Sequence, residues 1–291
     1  MTLEATVIIP TYDDWHVLQK CLDCLAHQSI ALDRFEVIVA NNNPSPEVPS
    51  ALQFPPNARV IHVPKPGSYA ARNAAILEAR GEALFFTDSD CQPHPRWIEN
   101  GLTALAGLGP TDRISGSVEL FPKGKTWTGA ELYDSLNHLT QETYSGKGWC
   151  ATANMVTRRA AFDLVGPFSE ESFSGGDREW GLRATEMGSP IVFSPEVLIL
   201  HPARDSFADL AKKLRRKIGR RYQDEVVTGK KKRSTFSFLF LRPQDFVRVL
   251  QDQRLPEADK MRILWLEYRL SLVAFHEYAR LRYFSGTPTR S

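Results

Sequence analysis

The sequence predicts an α/β fold: a mainly parallel, Rossmann-like sheet with helices on both faces, followed by a helical C-terminal extension. Three observations lead there. Short apolar runs alternate with segments of helical period through the first half. Each run stops at a cluster of polar or turn-forming residues. Beyond Asp205 the chain becomes basic and helix-like.

Thr6-Val7-Ile8-Ile9 reads as the opening strand, ended by Pro10, and Asp14 to Gln28 as the first helix. Phe35-Glu36-Val37-Ile38-Val39-Ala40 is the next strand, stopped by Asn41-Asn42-Asn43-Pro44. Val60-Ile61-His62-Val63 is a third, and Ser68 to Ala79 a helix opened by Pro66-Gly67. Alternation at this pace implies a parallel sheet whose right-handed crossovers bring the polar loops to one edge. The second half is less regular. Ile114 to Val118 reads as a strand, Thr126 to Leu139 as a helix, Trp149 to Val156 as strand or loop, and Arg159 to Gly166 as a short helix. Gly175-Gly176 then leads Asp177 and Glu179 into a helix start, and Ile191–Phe193 and Val197–Leu200 are two short strands.

The 291 residues fit one large domain, 1–205, and an appendage, 206–291. Apolar content of 42% and charged content of 24% are those of a soluble globular chain. The net charge of +2 hides an asymmetry: eleven Lys or Arg lie between Lys212 and Arg233, against only Asp224 and Glu225. Such a patch calls for an anionic partner. Met1 to Pro10 has no basic leader, and no stretch reaches the roughly 20 apolar residues of a membrane span, so a cytoplasmic protein is expected. The four cysteines do not form a disulfide framework. Cys21 and Cys24 sit at helical spacing among apolar residues and read as core.

The chemistry is concentrated after the next strand, Ala83-Leu84-Phe85-Phe86, where Thr87-Asp88-Ser89-Asp90 places two carboxylates one residue apart. At a strand end both can be aimed into the crevice where open α/β sheets hold ligands. Acidic oxygens gathered there are costly unless a cation or a sugar hydroxyl uses them, and carboxylates with substrate phosphates are the usual magnesium arrangement. No glycine-rich phosphate loop follows the first strand, where Pro10-Thr11-Tyr12-Asp13-Asp14 stands instead. A metal on the carboxylate pair would take over the work of such a loop.

Taken in order, four segments resemble family 2 glycosyltransferases, the inverting enzymes of the GT-A type. They are Val7 to Tyr12, Glu36 to Asn43, Ala70-Ala71-Arg72-Asn73 with Phe86 to Asp90, and Asn154 to Phe168 with Gly175 to Arg183. The resemblance covers roughly residues 5 to 205. It implies transfer of a sugar from a nucleoside diphosphate to an acceptor hydroxyl, assisted by Mn2+ or Mg2+. It places Asp90 first and Asp88 second as metal or donor ligands, with His201 as a third metal ligand. Pro10, Thr11, Tyr12, Asp14, Asn41, Asn42, Arg72 and Ser89 would line the donor pocket. Trp149, Asn154 and Trp180 would face the acceptor side, although a tryptophan at position 180 equally suits a core anchor. Asp177 is the matched general base, and Glu179 its rival. Two departures stand out: Asn41-Asn42 replaces the usual acidic pair, and Gly176 occupies the place of a glutamate.

The tail admits two roles. Lys212, Lys213, Arg215, Arg216, Lys217, Arg220 and Arg221 suit a pyrophosphate or an anionic membrane. The aromatic, charged helix from Met261 to Phe284 suits an interface or packing on its own domain, not a span. A glycan or lipid-linked acceptor at the inner membrane face is the expected partner, and nucleic acid is disfavoured for want of a recognition motif. The rivals are a sugar nucleotidyltransferase and a non-catalytic nucleotide-sugar-binding or membrane scaffold.

Overall fold

The computed structural model describes residues 3–138, 140–172, 174–229, 234–239, 243–253, 255–284 and 286–287. The chain forms two compact units, Met1–Leu120 with Leu139–Pro202 and Phe121–His138 with Ala203–Ser291. The second unit therefore includes a piece from the middle of the chain, which a single division at 205 does not anticipate. In chain order the elements are β1 (Ala5–Thr11), α1 (Trp15–Ala26), β2 (Phe35–Asn41), β3 (Ala58–His62), α2 (Ser68–Glu78), β4 (Ala83–Phe86) and β5 (Gln92–Pro93). Then follow α3 (Trp97–Ala106), β6 (Arg113–Phe121), α4 (Gly129–Asn137), α5 (Gln141–Ser145), β7 (Met155–Arg158), α6 (Arg159–Val165), α7 (Gly176–Glu186) and β8 (Ile191–Pro202). The chain continues through α8 (Phe207–Thr228), α9 (Pro243–Gln251) and α10 (Glu257–Tyr283).

The sheet has the order β3-β2-β1-β4-β7-β6-β8-β5. Its first four strands are parallel, as the alternation predicts. The rest of the sheet is mixed: β7 runs antiparallel to both β4 and β6, and β5 antiparallel to β8. Burial on both faces explains the unbroken apolar runs of β1, β2 and β4. Val7, Ile9, Val37, Val39 and Phe85 pack with Leu18 and Leu22 of α1 and with Trp97 and Ile98 of α3. Ile8, Ile38, Leu84 and Phe86 pack on the other face with Ala71 and Ala75 of α2, Phe162 of α6 and Trp180 of α7. The cysteines are free, and Cys21 belongs to the first of these cores, as its helical spacing predicts.

Some local expectations change. Ile191–Phe193 and Val197–Leu200 are one strand, β8; its pairing with β5 covers only Ile199 and Leu200, so Pro195 withholds no donor from that partner. Trp149 to Val156 divides into a single 3-10 turn, Thr152–Asn154, and the start of β7. Helices α3, α5 and α9 are found in the structure and are not among the elements read from the sequence.

In the second unit Thr128 caps α4 reciprocally with Glu131. Buried Asp134 takes Lys213 Nζ at 2.8 Å and Arg204 Nη1 at 3.0 Å. Lys213 is thereby used within the unit, not left for a ligand. Helices α8 and α10 share a small core of Ile218, Ala274, Tyr278 and Leu281, and the Tyr278 hydroxyl donates to Glu225 at 2.5 Å. Among the described residues no helix is long and apolar enough to cross a membrane. The end of the basic patch, residues 230–233, lies outside the described residues.

Candidate functional site

Because β1 and β4 are parallel neighbours, their C-terminal loops leave the sheet at the same edge. The two loops are tied together through Asp14. Its carboxylate accepts from the hydroxyls of Thr11 and Ser89 and, at 3.0 Å, from the Tyr12 backbone N–H. Asp14 and Ser89 therefore brace the site. Asp13 turns the chain with φ of 54°, a conformation aspartate tolerates better than most side chains. The turn leaves Tyr12 exposed (59%) beyond half-buried Pro10.

Asp88 is half-exposed, while Arg72 is only 4% exposed; Arg72 Nη2 meets Asp88 Oδ1 at 2.5 Å. A surface arginine is thus ruled out: α2 delivers this guanidinium from inside. Asp88, Asp90, Cys91 and His201 offer ligand atoms within 4.8 Å of one another. Cys91 is fully buried, and burial, with Asp88 and Asp90 adding to it, pushes its thiol well above the ordinary range. A hard cation would favour the two carboxylates and the imidazole over this buried sulfur. His201 Nδ1 lies 2.8 Å from the Pro202 carbonyl, which can only accept, so Nδ1 carries the proton. In the neutral ring Nε2 then turns a lone pair toward Asp90 Oδ1, 3.5 Å away. Two facing acceptors repel unless a proton or a cation lies between them. This oxygen-and-nitrogen set fits Mn2+ or Mg2+.

The Asn41-Asn42 departure has a structural cause. Asn42 donates to the carbonyls of Val63 (2.8 Å) and Lys65 (2.7 Å) and accepts from Gly67 N–H at 2.7 Å. It staples the loop that launches α2, and both its amide protons are used. Asn41 is fully buried, donates to Ser45 and accepts from Asn43 twice. Both amides serve their own loops.

On the other side, Gly175 is left-handed (φ 73°) and opens α7. A Cβ on Gly176 would lie 2.7 Å from the Tyr69 ring, so a glutamate there has no room. Tyr69 fills that space, and its hydroxyl donates to Asp177 Oδ1 at 3.2 Å. The Arg178 N–H reaches the same oxygen at 2.8 Å. Burial, followed by the Asp177 charge, raises the Tyr69 phenol and pushes Tyr144 up to about 12. Tyr144 lies against Trp149, ring centroids 3.9 Å apart. Glu179 instead pairs with Arg183 at 3.0 Å, one turn along the helix. Helix α2 thus holds both sides: Arg72 on Asp88 and, three residues earlier, Tyr69 on Asp177. Neither tyrosine stands out in the sequence: Tyr69 sits in a helical pattern, where an aromatic reads as packing, and no sequence pattern marks Tyr144.

Two expected acceptor residues are corrected. Asn154 is 0% exposed; it accepts from Trp97 Nε1 at 2.9 Å and donates to the Ser117 and Val197 carbonyls, both at 2.7 Å. Trp180 is equally buried, stacks on Phe162 at 4.5 Å and donates to Gly166 at 2.8 Å. Both are core ties that no acceptor reaches.

Residues 6–166 match the model of glycosyl transferase family 2. The chain is 37% identical over 215 residues to the glycosyltransferase AglE of Haloferax volcanii, covering 72% of this chain and 69% of that one. It is 25% identical over 231 residues to the validoxylamine A glucosyltransferase of Streptomyces hygroscopicus subsp. jinggangensis, of whose length it spans about half (53%). Among solved structures it is similar to the mannosyltransferase of Pyrobaculum calidifontis in complex with GDP-Man and Mn2+ (TM-score 0.51, 19% identity, 99% of this chain and 77% of that one). It is also similar to S. aureus TarS 1–349 in complex with UDP (TM-score 0.52, 16% identity, 96% and 91%). These structures have the GT-A-like architecture seen here. The chain belongs to glycosyltransferase family 2.

Proposed function

We propose that this glycosyltransferase moves a sugar from a nucleoside-diphosphate donor to an acceptor hydroxyl with inversion, Asp177 acting as the general base. The observation that carries the reading is the pair of carboxylate sites hung on one helix: Arg72 holds Asp88 and Tyr69 holds Asp177. The similar mannosyltransferase and TarS structures with nucleotide ligands support a sugar nucleotide as donor.

Asp177 would accept the proton of the incoming hydroxyl. Tyr69 and the Arg178 N–H fix its Oδ1, which sets the direction of the carboxylate. Trp149 and Tyr144 would give the acceptor sugar an apolar face beside the base. Exposed Tyr12 and half-buried Pro10 would flank the nucleoside, with Thr11, Asp14 and Ser89 keeping their loops in register and Asn41 and Asn42 shaping the wall behind. Asp90, His201 and Asp88 would hold Mn2+ or Mg2+. Bound there, the ion neutralises charge that develops on the departing diphosphate. A growing glycan or a lipid-linked saccharide is the acceptor class we favour.

Calorimetric titration with UDP, GDP and dTDP, with and without Mn2+, tests the donor site. One nucleotide should bind in a metal-dependent way, and Asp90→Ala should abolish that dependence. Binding of none, or equal binding by Asp90→Ala, overturns the assignment.

A further inference from the structure

From Met261 to Phe284 the exposed residues of the described chain are Met261, Arg262, Trp265, Tyr268, Arg269, Leu272, His276, Tyr283 and Phe284. No acid is among them. Both glutamates of that stretch, Glu267 and Glu277, are buried. Met261, Trp265, Tyr268 and Leu272 follow one another at steps of four, three and four, so they form one stripe on α10. Arg262, Arg269 and His276 recur at seven-residue intervals and run beside it. Met261 and Trp265 are more than 60% exposed, although the same helix buries Ile263, Leu264, Leu270 and Ala274 on its opposite side.

We propose that this face of α10 is a docking surface for an anionic lipid bilayer. Charge and residue type choose this occupant together. A helix that lies in the plane of a membrane presents large apolar side chains with cations beside them, and tryptophan and tyrosine settle at the headgroup level. The anionic leaflet attracts such cations and repels acids; the exposed acid in line with the stripe, Glu257, stands at the start of α10 and is paired with Lys260 at 2.7 Å. A second copy suits it less well: a two-fold contact would bring the Arg262 and Arg269 row against its own equivalent, while exposed Glu257 at the end of the stripe is already engaged by Lys260. Arg262 keeps Asp259 within 3.2 Å and Arg269 lies 4.0 Å over the Phe207 ring, so both cations are held beside the stripe. Helix α8, which shares a core with α10, also exposes Lys212, Arg215, Arg216, Lys217 and Arg221 within the same unit. The inference is independent of the transfer chemistry proposed above.

Co-sedimentation of the full chain with sucrose-loaded vesicles tests it. The chain should pellet with vesicles of equal parts phosphatidylcholine and phosphatidylglycerol, stay in solution with phosphatidylcholine alone, and be released by high salt. The double variant Trp265→Ser/Leu272→Ser and the double variant Arg262→Glu/Arg269→Glu should each lower partitioning about tenfold. Their thermal melts should match that of the parent chain, because all four side chains are exposed. Should one variant fold poorly, the other still decides. Absence of pelleting with the anionic vesicles overturns the proposal, as does pelleting that a well-folded variant leaves unchanged. A dimer in light scattering that Trp265→Ser/Leu272→Ser dissociates would assign the stripe to a second copy and equally overturn it.

Discussion

Asp134 in one unit and Asp88 with Asp90 in the other are both carboxylate centres, but their charges are balanced in opposite ways. One buried carboxylate, Asp134, sits between two cations, Arg204 and Lys213. Burial alone would raise it; the neighbouring charges outweigh burial and bring Asp134 down to about 2. Lys213 moves down too, to about 8, because burial and Arg204 act on it together while it shares one carboxylate. Both shifts express a surplus of cations. At the strand ends, Asp14, Asp88 and Asp90 are grouped with one guanidinium, Arg72, and one imidazole, His201. There three carboxylates stand beside these two groups, and all three are half-exposed. A carboxylate buried between cations of its own fold holds elements together, whereas half-exposed carboxylates gathered at a sheet edge are placed where positive charge from outside can reach them.

The comparison can be broken by mutation. The largest effect should come from Asp177→Asn, which keeps shape and removes the proposed base: nucleoside diphosphate release in the presence of acceptor should fall about 10³-fold, with donor affinity unchanged. Normal turnover would remove Asp177 from the chemistry. Next, Asp134→Ala strands two cations and should cost about 3 kcal/mol in a denaturant titration, whereas Asp90→Asn should leave stability unchanged or higher. Equal losses at both positions would erase the distinction drawn here. Third, the Asp134 carboxyl is lower folded than unfolded, so its stabilisation is present above the unfolded value of 3.8 and lost as pH falls through about 2. That contribution, about 2 kcal/mol, should vanish from the acid unfolding curve of Asp134→Asn. The smallest effect belongs to Tyr69→Phe. It keeps the ring against Gly176 and deletes one hydrogen bond to a carboxylate, so kcat should drop about tenfold with donor KM unchanged. A rise in donor KM with kcat intact would move Tyr69 to the donor side.

The parallel half of the sheet was the more legible. Its strands are local, buried on both faces and ended by turn residues, so Ile8, Phe86, Asp88 and Asp90 could be placed from spacing alone. The later half of the domain was not. Asn154 looks polar and available in sequence, yet it is buried by three elements distant along the chain. The departures at 42 and 176 are explained by residues 25 and 107 positions away, Gly67 and Tyr69.

Sequence by itself determined the alternation, the parallel first half of the sheet, the strand-end carboxylates and the basic tail, because each is written in residues close along the chain. The pairing of Arg72 with Asp88 and of Tyr69 with Asp177, the burial of Asn154 and Trp180, and the joining of 121–138 to the C-terminal unit were decided only in the tertiary structure. Those outcomes depend on which distant groups meet when apolar faces are buried. Hydrogen bonds and ion pairs then form between whatever polar groups that burial has brought within reach.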